Sequence, residues 1–196
     1  MSLFDARHRF VASYYWEIPV KKYSGFANKL LNGWALSGIT QFQSGFPIRI
    51  FSYGDENLIG NSAGFSSPTF PDLVDKFHRI DPKKNGGYYF QPLNLIQDPT
   101  QPNPNSQFAA QAIGTQGNSP RTVCCGPGLD NTDFSIQKNT SINERFRAEF
   151  RLDIFNAFNH TKFDNPDGIF SDGSNFGLIQ KVADPRLMQV ALKLFF

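Results

Sequence analysis

The sequence predicts an all-β fold, an antiparallel up-and-down transmembrane β-barrel segment of about five strands with two long external loops. Two observations predict it. Residues 188–196 alternate strictly between two faces and keep an apolar row up to the last residue, because every second side chain of a strand shares a face. A soluble chain end usually frays into water, whereas a strand that closes a barrel keeps such a row in lipid. The second observation is that short and long connections alternate along the chain.

Alternation at period two predicts five strands. They lie at residues 9–18, 33–51, 132–142, 145–154 and 188–196. The second contains Gly38, Gly45 and Pro47, which predict a bend or bulge rather than a straight central strand. The fifth carries its apolar row at Met188, Val190, Leu192, Leu194 and Phe196.

The fourth strand has two sharply different faces. Its apolar side chains alternate with a charged row formed by Arg145, Arg147, Glu149, Arg151 and Asp153. A helix would scatter these charges around its axis, so the pattern predicts a strand. The charges would face water in a soluble sandwich and a polar lumen in a membrane barrel, and the period fits both. As a lumen-facing row they would contact a plug or substrate, or pair with one another across strands.

The connections favour the barrel. The third and fourth strands are joined by a tight turn, and the first and second by residues 19–32, whereas residues 54–131 and 159–184 form long connections. Loops beyond about 15 residues are uncommon in compact domains, and outer-membrane barrels combine brief periplasmic turns with long external loops. We therefore expect residues 1–196 to form one partial barrel domain. The first long loop is expected to be partly ordered, with a short helix at residues 71–79, and a domain boundary inside it is left open.

Composition limits the possible partners. Lys plus Arg is 19 and Asp plus Glu is 17, so no strong field attracts nucleic acid. The mean hydropathy is −0.36, and no apolar run approaches the roughly 20 residues of a membrane helix. The 21 Phe, 6 Tyr and 2 Trp need burial, a ligand groove or the aromatic girdles of a membrane barrel. Residues 1–8 do not read as a signal peptide, so for an exported protein we expect the chain to be incomplete.

The residues with possible chemistry do not assemble into an enzyme motif. Adjacent Cys124 and Cys125 either play a structural role or form a vicinal disulfide. His8, His78 and His160 are far apart in sequence and lack zinc-protease spacing, and no nucleophile elbow occurs. We expect no metal site, no cofactor and no catalytic residues.

Three further loop segments are interpreted as ordinary loop structure. Residues 164–168 and 172–173 combine Asp, Asn and Gly, but the calcium-loop register fails, so they are expected to form turns. Residues 60–64 lack the Lys-Ser/Thr pair of a phosphate loop. The aromatic run Tyr88, Tyr89 and Phe90 could stack on a ligand, although packing of the loop onto itself is the default expectation.

Five stretches resemble the C-terminal part of TonB-dependent outer-membrane receptors, in particular the Oar-like group. They are residues 4–14 (FDARHRFVASY), 30–47 (LLNGWALSGITQFQSGFP), 126–138 (GPGLDNTDFSIQK), 144–163 (ERFRAEFRLDIFNAFNHTKF) and 185–196 (PRLMQVALKLFF). Together they cover roughly the strand-forming half of the chain. The NAFNH stretch at residues 156–160, which follows the strand with alternating charges, is fairly specific, whereas a terminal Phe is shared by many outer-membrane proteins.

The resemblance implies a 22-stranded barrel with an internal plug, which imports a nutrient across the bacterial outer membrane with energy from the inner membrane. The implied partners are outer-membrane lipid, the remaining strands and plug of the receptor, the barrel-assembly machinery and an unidentified nutrient. In this class a terminal apolar row serves as the assembly signal, which here falls on Val190, Leu192, Leu194 and Phe196. Plug and TonB-contacting segments have no counterpart in the chain, so we expect it to form the last strands of such a barrel.

Two other functions compete with this interpretation. A soluble, secreted β-sandwich could bind carbohydrate through its aromatic residues, with the Phe rows forming a core between two sheets. Detergent dependence separates the two, because exposed Phe rows aggregate in plain buffer. A hydrolase that uses loop carboxylates is the weaker competitor, since no pair of acids has a defensible spacing.

Overall fold

The computed structural model describes residues 2–21, 24–54, 57–58, 69–90 and 106–196. Five long strands form one antiparallel sheet in the order β1-β2-β7-β8-β9. Short strands form two further pairs, β3 with β6 and β4 with β5. The elements are β1 (Arg9–Glu17), α1 (Phe26–Leu31), β2 (Trp34–Gln43), β3 (Ile48–Arg49), β4 (Asp72–Leu73), β5 (Phe108–Ala109), β6 (Thr122–Val123), β7 (Leu129–Ser141), β8 (Arg147–Phe155), a 3-10 helix (Phe170–Asn175) and β9 (Leu187–Phe195).

The five predicted strands are confirmed, with shifted ends. The third begins earlier than predicted, at Leu129, and the fourth begins at Arg147 rather than at Arg145. The second ends at Gln43, where the predicted bend takes the chain out of the sheet. The bend needs a glycine, because a Cβ at Gly45 would overlap the carbonyl oxygen of Gly126. Each long strand pairs with its neighbour without a break in register.

The chain divides into two compact units. The sheet unit consists of His8–Gln43, Leu129–Lys162 and Ala183–Phe196, and contains α1 and the five long strands. The inserted unit consists of Met1–Arg7, Ser44–Gly128 and Phe163–Val182. Most of the inserted unit therefore comes from the β2–β7 and β8–β9 connections. Both connections leave the same end of the sheet, because β2 and β8 run in the same direction in this antiparallel order.

The inserted unit has a hydrophobic core of its own. Phe90, Phe108 and Phe176 are fully buried, and their rings meet at centroid distances of 5.0 to 5.9 Å. The spacing and the steep interplanar angles are those that aromatic pairs prefer. The other buried members of this cluster are Ile48, Ile50, Tyr89, Val123 and Ile179. The long loop is thus ordered in its described part, as predicted.

The short helix predicted at residues 71–79 is wrong. Residues Asp72–Leu73 form β4. The amides of Leu73 and Val74 bond to partners that are distant in sequence instead of to carbonyls four residues earlier. The Leu73 amide donates to Asn118 Oδ1 at 2.7 Å, and the Val74 amide donates to the Gln107 carbonyl at 2.9 Å. Tertiary partners therefore replace the i−4 carbonyls that a helix would have used.

Within the described residues, the structure contains no helix that is both long and apolar enough to cross a membrane. The helix α1 is only six residues long, Phe26–Leu31, and lies in the connection between β1 and β2. The sequence pattern did not predict it.

Candidate functional site

The sheet unit presents one apolar face across all five strands. In register, Phe150 of β8 lies between Leu192 of β9 and Lys138 of β7. Two residues further along β8, Leu152 lies between Val190 of β9 and Ile136 of β7. Side chains that stand opposite each other in an antiparallel pair share a face. The apolar face comprises Phe10, Ala12, Tyr14, Trp16, Trp34, Leu36, Gly38, Thr40, Phe42, Thr132, Phe134, Ile136, Lys138, Thr140, Ala148, Phe150, Leu152, Ile154, Met188, Val190, Leu192 and Leu194. Asp130, opposite Phe42, lies on the same side at the end of the sheet with the long connections.

This apolar face lies largely open at its outer strands. Met188, Val190, Leu192 and Leu194 are 60% to 67% exposed, and Phe10 is 60% exposed. Among the described residues of the sheet unit, Ala35 is the only hydrophobic residue that is buried. Soluble monomers rarely expose a contiguous apolar surface of this extent. The face therefore needs an apolar environment from outside the chain.

The opposite face of the sheet is polar and holds most of the predicted charged row. Arg147, Glu149, Arg151 and Asp153 lie on β8 in alternate positions. Arg151 Nε donates to Asp153 Oδ1 at 2.8 Å, and Lys193 Nζ of β9 lies 4.0 Å from Glu149 Oε1.

Two members of the row are placed differently from these pairs. Arg145 precedes β8 and lies in the β7–β8 turn, where its amide donates to Asn143 Oδ1 at 3.0 Å. The prediction that it belongs to the strand row is therefore wrong, because the strand begins only at Arg147. The Arg147 guanidinium lies over the Phe195 ring, 4.6 Å from its centroid. A guanidinium over an aromatic face is attracted by the ring quadrupole.

The middle of the polar face contains a hollow of about 360 Å³. Small residues of three adjacent strands, Ser13, Ser37 and Ser135, leave this space, while Asp133 and Asp153 are the acids among its lining residues. Ser135 Oγ donates to Asp153 Oδ1 at 2.6 Å. The hollow is thus lined by hydroxyl groups, by carboxylates that accept hydrogen bonds within the sheet unit, and by Arg151.

The NAFNH turn at residues 156–160 ties the ends of three strands together. Asn156 is buried, with a positive φ of 51°. Its Oδ1 accepts the His160 amide and its Nδ2 donates to the His160 carbonyl, both at 3.0 Å. The Ala157 amide donates to the Thr132 carbonyl of β7 at 2.7 Å, and the Arg186 amide donates to Asn159 Oδ1 at 3.0 Å. The motif therefore works as a structural clip at the end of the sheet where β7 begins, β8 ends and β9 begins.

A family of known proteins shares this chain's pattern. The family described as the outer membrane beta barrel domain matches residues 1–189. The chain belongs to the outer membrane beta barrel domain family. No curated protein and no solved structure matches it.

Membership in this outer membrane beta barrel family accounts for the two faces of the sheet. The protein resides in the bacterial outer membrane, and lipid is the apolar environment that the exposed face requires. In the structure the five strands form an open sheet, with β1 and β9 as its edges. The family is generally non-catalytic.

Aromatic side chains flank the apolar face at both ends of the sheet, as in the girdles of membrane barrels. Trp16 and Trp34 lie at the end with the short turns, and the rings of Phe10 and Phe42 stack at 6.4 Å at the other end. From Trp34 to Phe42 the strand rises about 27 Å. At a tilt of about 40° this spans roughly 20 Å of membrane, close to the ~25 Å apolar band of such barrels.

The other residues considered from the sequence lie in separate places. Tyr89 and Phe90 are buried in the inserted unit, so packing of the loop onto itself is confirmed there. Cys124 and Cys125 form a vicinal disulfide, and the Tyr89 hydroxyl donates to the Cys125 carbonyl at 2.8 Å. His160 Nδ1 lies 2.8 Å from Asp130 Oδ2. Among the described residues, no three His, Cys, Asp or Glu side chains are placed to hold a metal. Residues 60–64 lie outside the described part of the chain.

The Asp and Gly segments of the second long connection line a polar cavity in the inserted unit. Its volume is about 360 Å³, and its lining includes Asp164, Asp167 and Asp172. Asp167 Oδ1 accepts the Ile169 amide at 2.8 Å, which is an ordinary Asx turn. Burial raises the pKa of Asp167, and the neighbouring Asp172 carboxylate raises it further, although the Ile169 amide opposes both. The Asx turn at Asp167 agrees with the turn predicted at residues 164–168, whereas residues 172–173 lie in the 3-10 helix.

Proposed function

We propose that this chain is the C-terminal part of the barrel of a TonB-dependent receptor of the Oar-like group, which takes up a nutrient without catalysing a reaction. The two-faced sheet carries the proposal. An open apolar face backed by a polar face, which holds a hydrogen-bonded hollow, suits a wall between lipid and a wet lumen. The NAFNH clip supports the assignment to this group, because that stretch is a fairly specific part of the sequence resemblance.

Specific residues take roles in this proposal. Residues 1–196 form a partial barrel domain, and the connections at 54–131 and 159–184 are external and capture the nutrient. Arg147, Glu149, Arg151 and Asp153 face the lumen, where they contact the plug or the passing nutrient. The remaining strands of the receptor continue the sheet at its edges, because an unpaired edge in lipid would leave backbone groups without partners.

The end of β9 takes a second role, in assembly. Val190, Leu192, Leu194 and Phe196 form the signal that the barrel-assembly machinery reads. Their exposure supports this role, since each of them is more than half exposed and open to a partner strand or protein.

A genetic experiment tests the transport proposal. The gene is deleted in its native bacterium, alone and together with deletion of the gene for the energy-coupling protein TonB, and growth is measured on an array of sole nutrients. We expect both single deletions to impair growth on a shared nutrient, and the double deletion to be no worse than either. A double deletion that grows worse than either single deletion contradicts energy-coupled uptake. So does a growth defect of equal size when the gene is deleted from a strain that already lacks TonB.

The competing sandwich function is tested by extraction. In a soluble sandwich the Phe and Leu rows of the sheet would be covered by a second sheet, whereas here the outer rows are exposed. Protein that remains monomeric in buffer without detergent would favour the sandwich. Protein that stays in the outer-membrane fraction after a salt wash and leaves it only with detergent supports the barrel.

A further inference from the structure

The helix α1 carries apolar side chains that lie exposed among the described residues. Phe26 is 79% exposed and Leu30 is 56% exposed, and residues four apart lie on the same side of a helix. No residue of α1 is buried. A six-residue helix is too short to be stable alone in water, so its neighbours must hold it.

Side chains from the apolar face of the sheet hold α1 at its C-terminal end. Lys138 Nζ donates to the carbonyls of Leu30 and Asn32, both at 2.8 Å, and Trp34 Nε1 donates to the Leu30 carbonyl at 3.2 Å. These contacts satisfy carbonyls that the end of a helix leaves without partners. Because Lys138 and Trp34 both project from the apolar face, they draw α1 to the lipid side of the sheet.

Two ammonium groups accompany these apolar side chains. Lys29 Nζ donates to the Ile142 carbonyl at 2.7 Å, and Lys138 Nζ lies over the Trp34 ring, 4.8 Å from its centroid. Within the described residues, neither group forms a salt bridge with a carboxylate. An ammonium has three N–H donors, so Lys29, with one carbonyl partner, keeps donors for an outside acceptor, whereas Lys138 has two carbonyl partners and lies against the Trp34 ring. Ile142 and Phe146 add half-exposed apolar surface nearby.

From this arrangement we infer that α1, Lys29, Trp34 and Lys138 form a lipid anchor that binds anionic phospholipid of the inner leaflet. The apolar side chains of α1 enter the acyl region, the Lys29 ammonium contacts the headgroup phosphate, and Lys138 holds the end of the helix in place. Amphipathic helices and Lys side chains at the membrane boundary behave in this way. The assignment to the inner leaflet rests on the proposed function, in which the short turns face the periplasm.

Photolabelling tests the anchor. Protein extracted from native outer membranes is placed in phosphatidylethanolamine vesicles that contain photoactivatable phosphatidylglycerol, phosphatidylcholine or lipopolysaccharide, and mass spectrometry maps the labelled peptides. We expect phosphatidylglycerol to label the peptide containing residues 26–34 about fivefold more than phosphatidylcholine does, the preference that one lysine near an anionic surface gives. Equal labelling by these two lipids overturns the anchor, and preferential labelling by lipopolysaccharide overturns its assignment to the inner leaflet.

Matched variants separate charge from apolar insertion. Lys29→Gln removes the free charge while the Lys138 contacts that hold α1 stay in place, and it should reduce labelling to the phosphatidylcholine level, while Lys193→Gln on the polar face should change nothing. Phe26→Ser should lower labelling by every lipid, whereas Ile113→Ser, an equally exposed residue of the inserted unit, should not. Loss of the preference in Lys193→Gln as well overturns the assignment to α1. This labelling result is independent of TonB, so failure of the anchor leaves the genetic test of transport standing.

Discussion

Replacing Asn156 with Ala should loosen the NAFNH clip. The substitution removes two hydrogen bonds of 3.0 Å to the His160 backbone, which contribute about 1 kcal/mol each. The positive φ of 51° adds about 1 kcal/mol, because Ala tolerates the left-handed region less well than Asn. The local opening free energy should therefore fall by about 3 kcal/mol, which corresponds to a hundredfold or slightly more in the opening equilibrium.

Hydrogen–deuterium exchange measures this opening in protein reconstituted into lipid. The Ala157 amide is the reporter, because its own acceptor, the Thr132 carbonyl, is untouched by the substitution. In Asn156→Gly the backbone can still adopt the positive φ. The local opening free energy should therefore fall only by the contribution of the two lost hydrogen bonds, about 2 kcal/mol. Asn139→Ala, at an exposed position of β7, is the control and should stay within about 0.5 kcal/mol. Exchange within threefold of the wild type in both Asn156 variants would refute the reasoning.

Three further changes have predicted outcomes. Leu192→Arg puts a charge into lipid at a cost of about 2–4 kcal/mol and should strongly lower the amount of protein in the outer membrane. Gln189→Arg, on the polar face, should be tolerated. Immunoblots of membrane fractions measure both amounts. Phe196→Ser should slow assembly in a pulse–chase experiment, and Phe195→Ser, on the other face, should slow it less. Asp167→Asn should stabilise the inserted unit near neutral pH and reduce the pH dependence of its thermal unfolding.

The sign of the Asp167 effect follows from its raised pKa. The folded state binds the proton more tightly than the unfolded state, so stability is greatest below the ordinary pKa of about 3.9 and falls as pH rises through the folded-state value. If the stability of Asp167→Asn changed with pH as much as that of the wild type, the role of Asp167 in the pH dependence would be contradicted. Equal loss from the membrane in the Leu192 and Gln189 variants would contradict the assignment of faces. Equal assembly rates in the Phe195 and Phe196 variants would remove the signal role.

The sheet was predictable because its two surroundings impose a simple rule. Lipid on one side and water on the other make side chains alternate, so β8 and β9 could be placed within two residues from sequence alone. Arg145 shows the limit of the rule: its side chain continues the charged pattern, but Asn143 accepts its amide and holds it in the turn.

The inserted unit was not predictable in detail, since long-range contacts determine it. Phe90, Phe108 and Phe176 come from three distant segments, and its strands are only two residues long. No period can emerge from such short elements. The helix α1 escaped prediction for a related reason, because Lys138, far along the chain, holds its end.

The shared core of the inserted unit has a consequence for how outer membrane barrels of this kind diversify. Phe90 and Phe108 come from the first long connection, and Phe176 and Ile179 come from the second. Phe176 packs against both Phe90 and Phe108, at 5.0 and 5.3 Å between ring centroids, so each connection completes the burial of the other. Swapping residues 44–128 alone into a related barrel would expose the Phe cluster and invite proteolysis. The two connections must therefore be inherited, recombined or engineered as a pair.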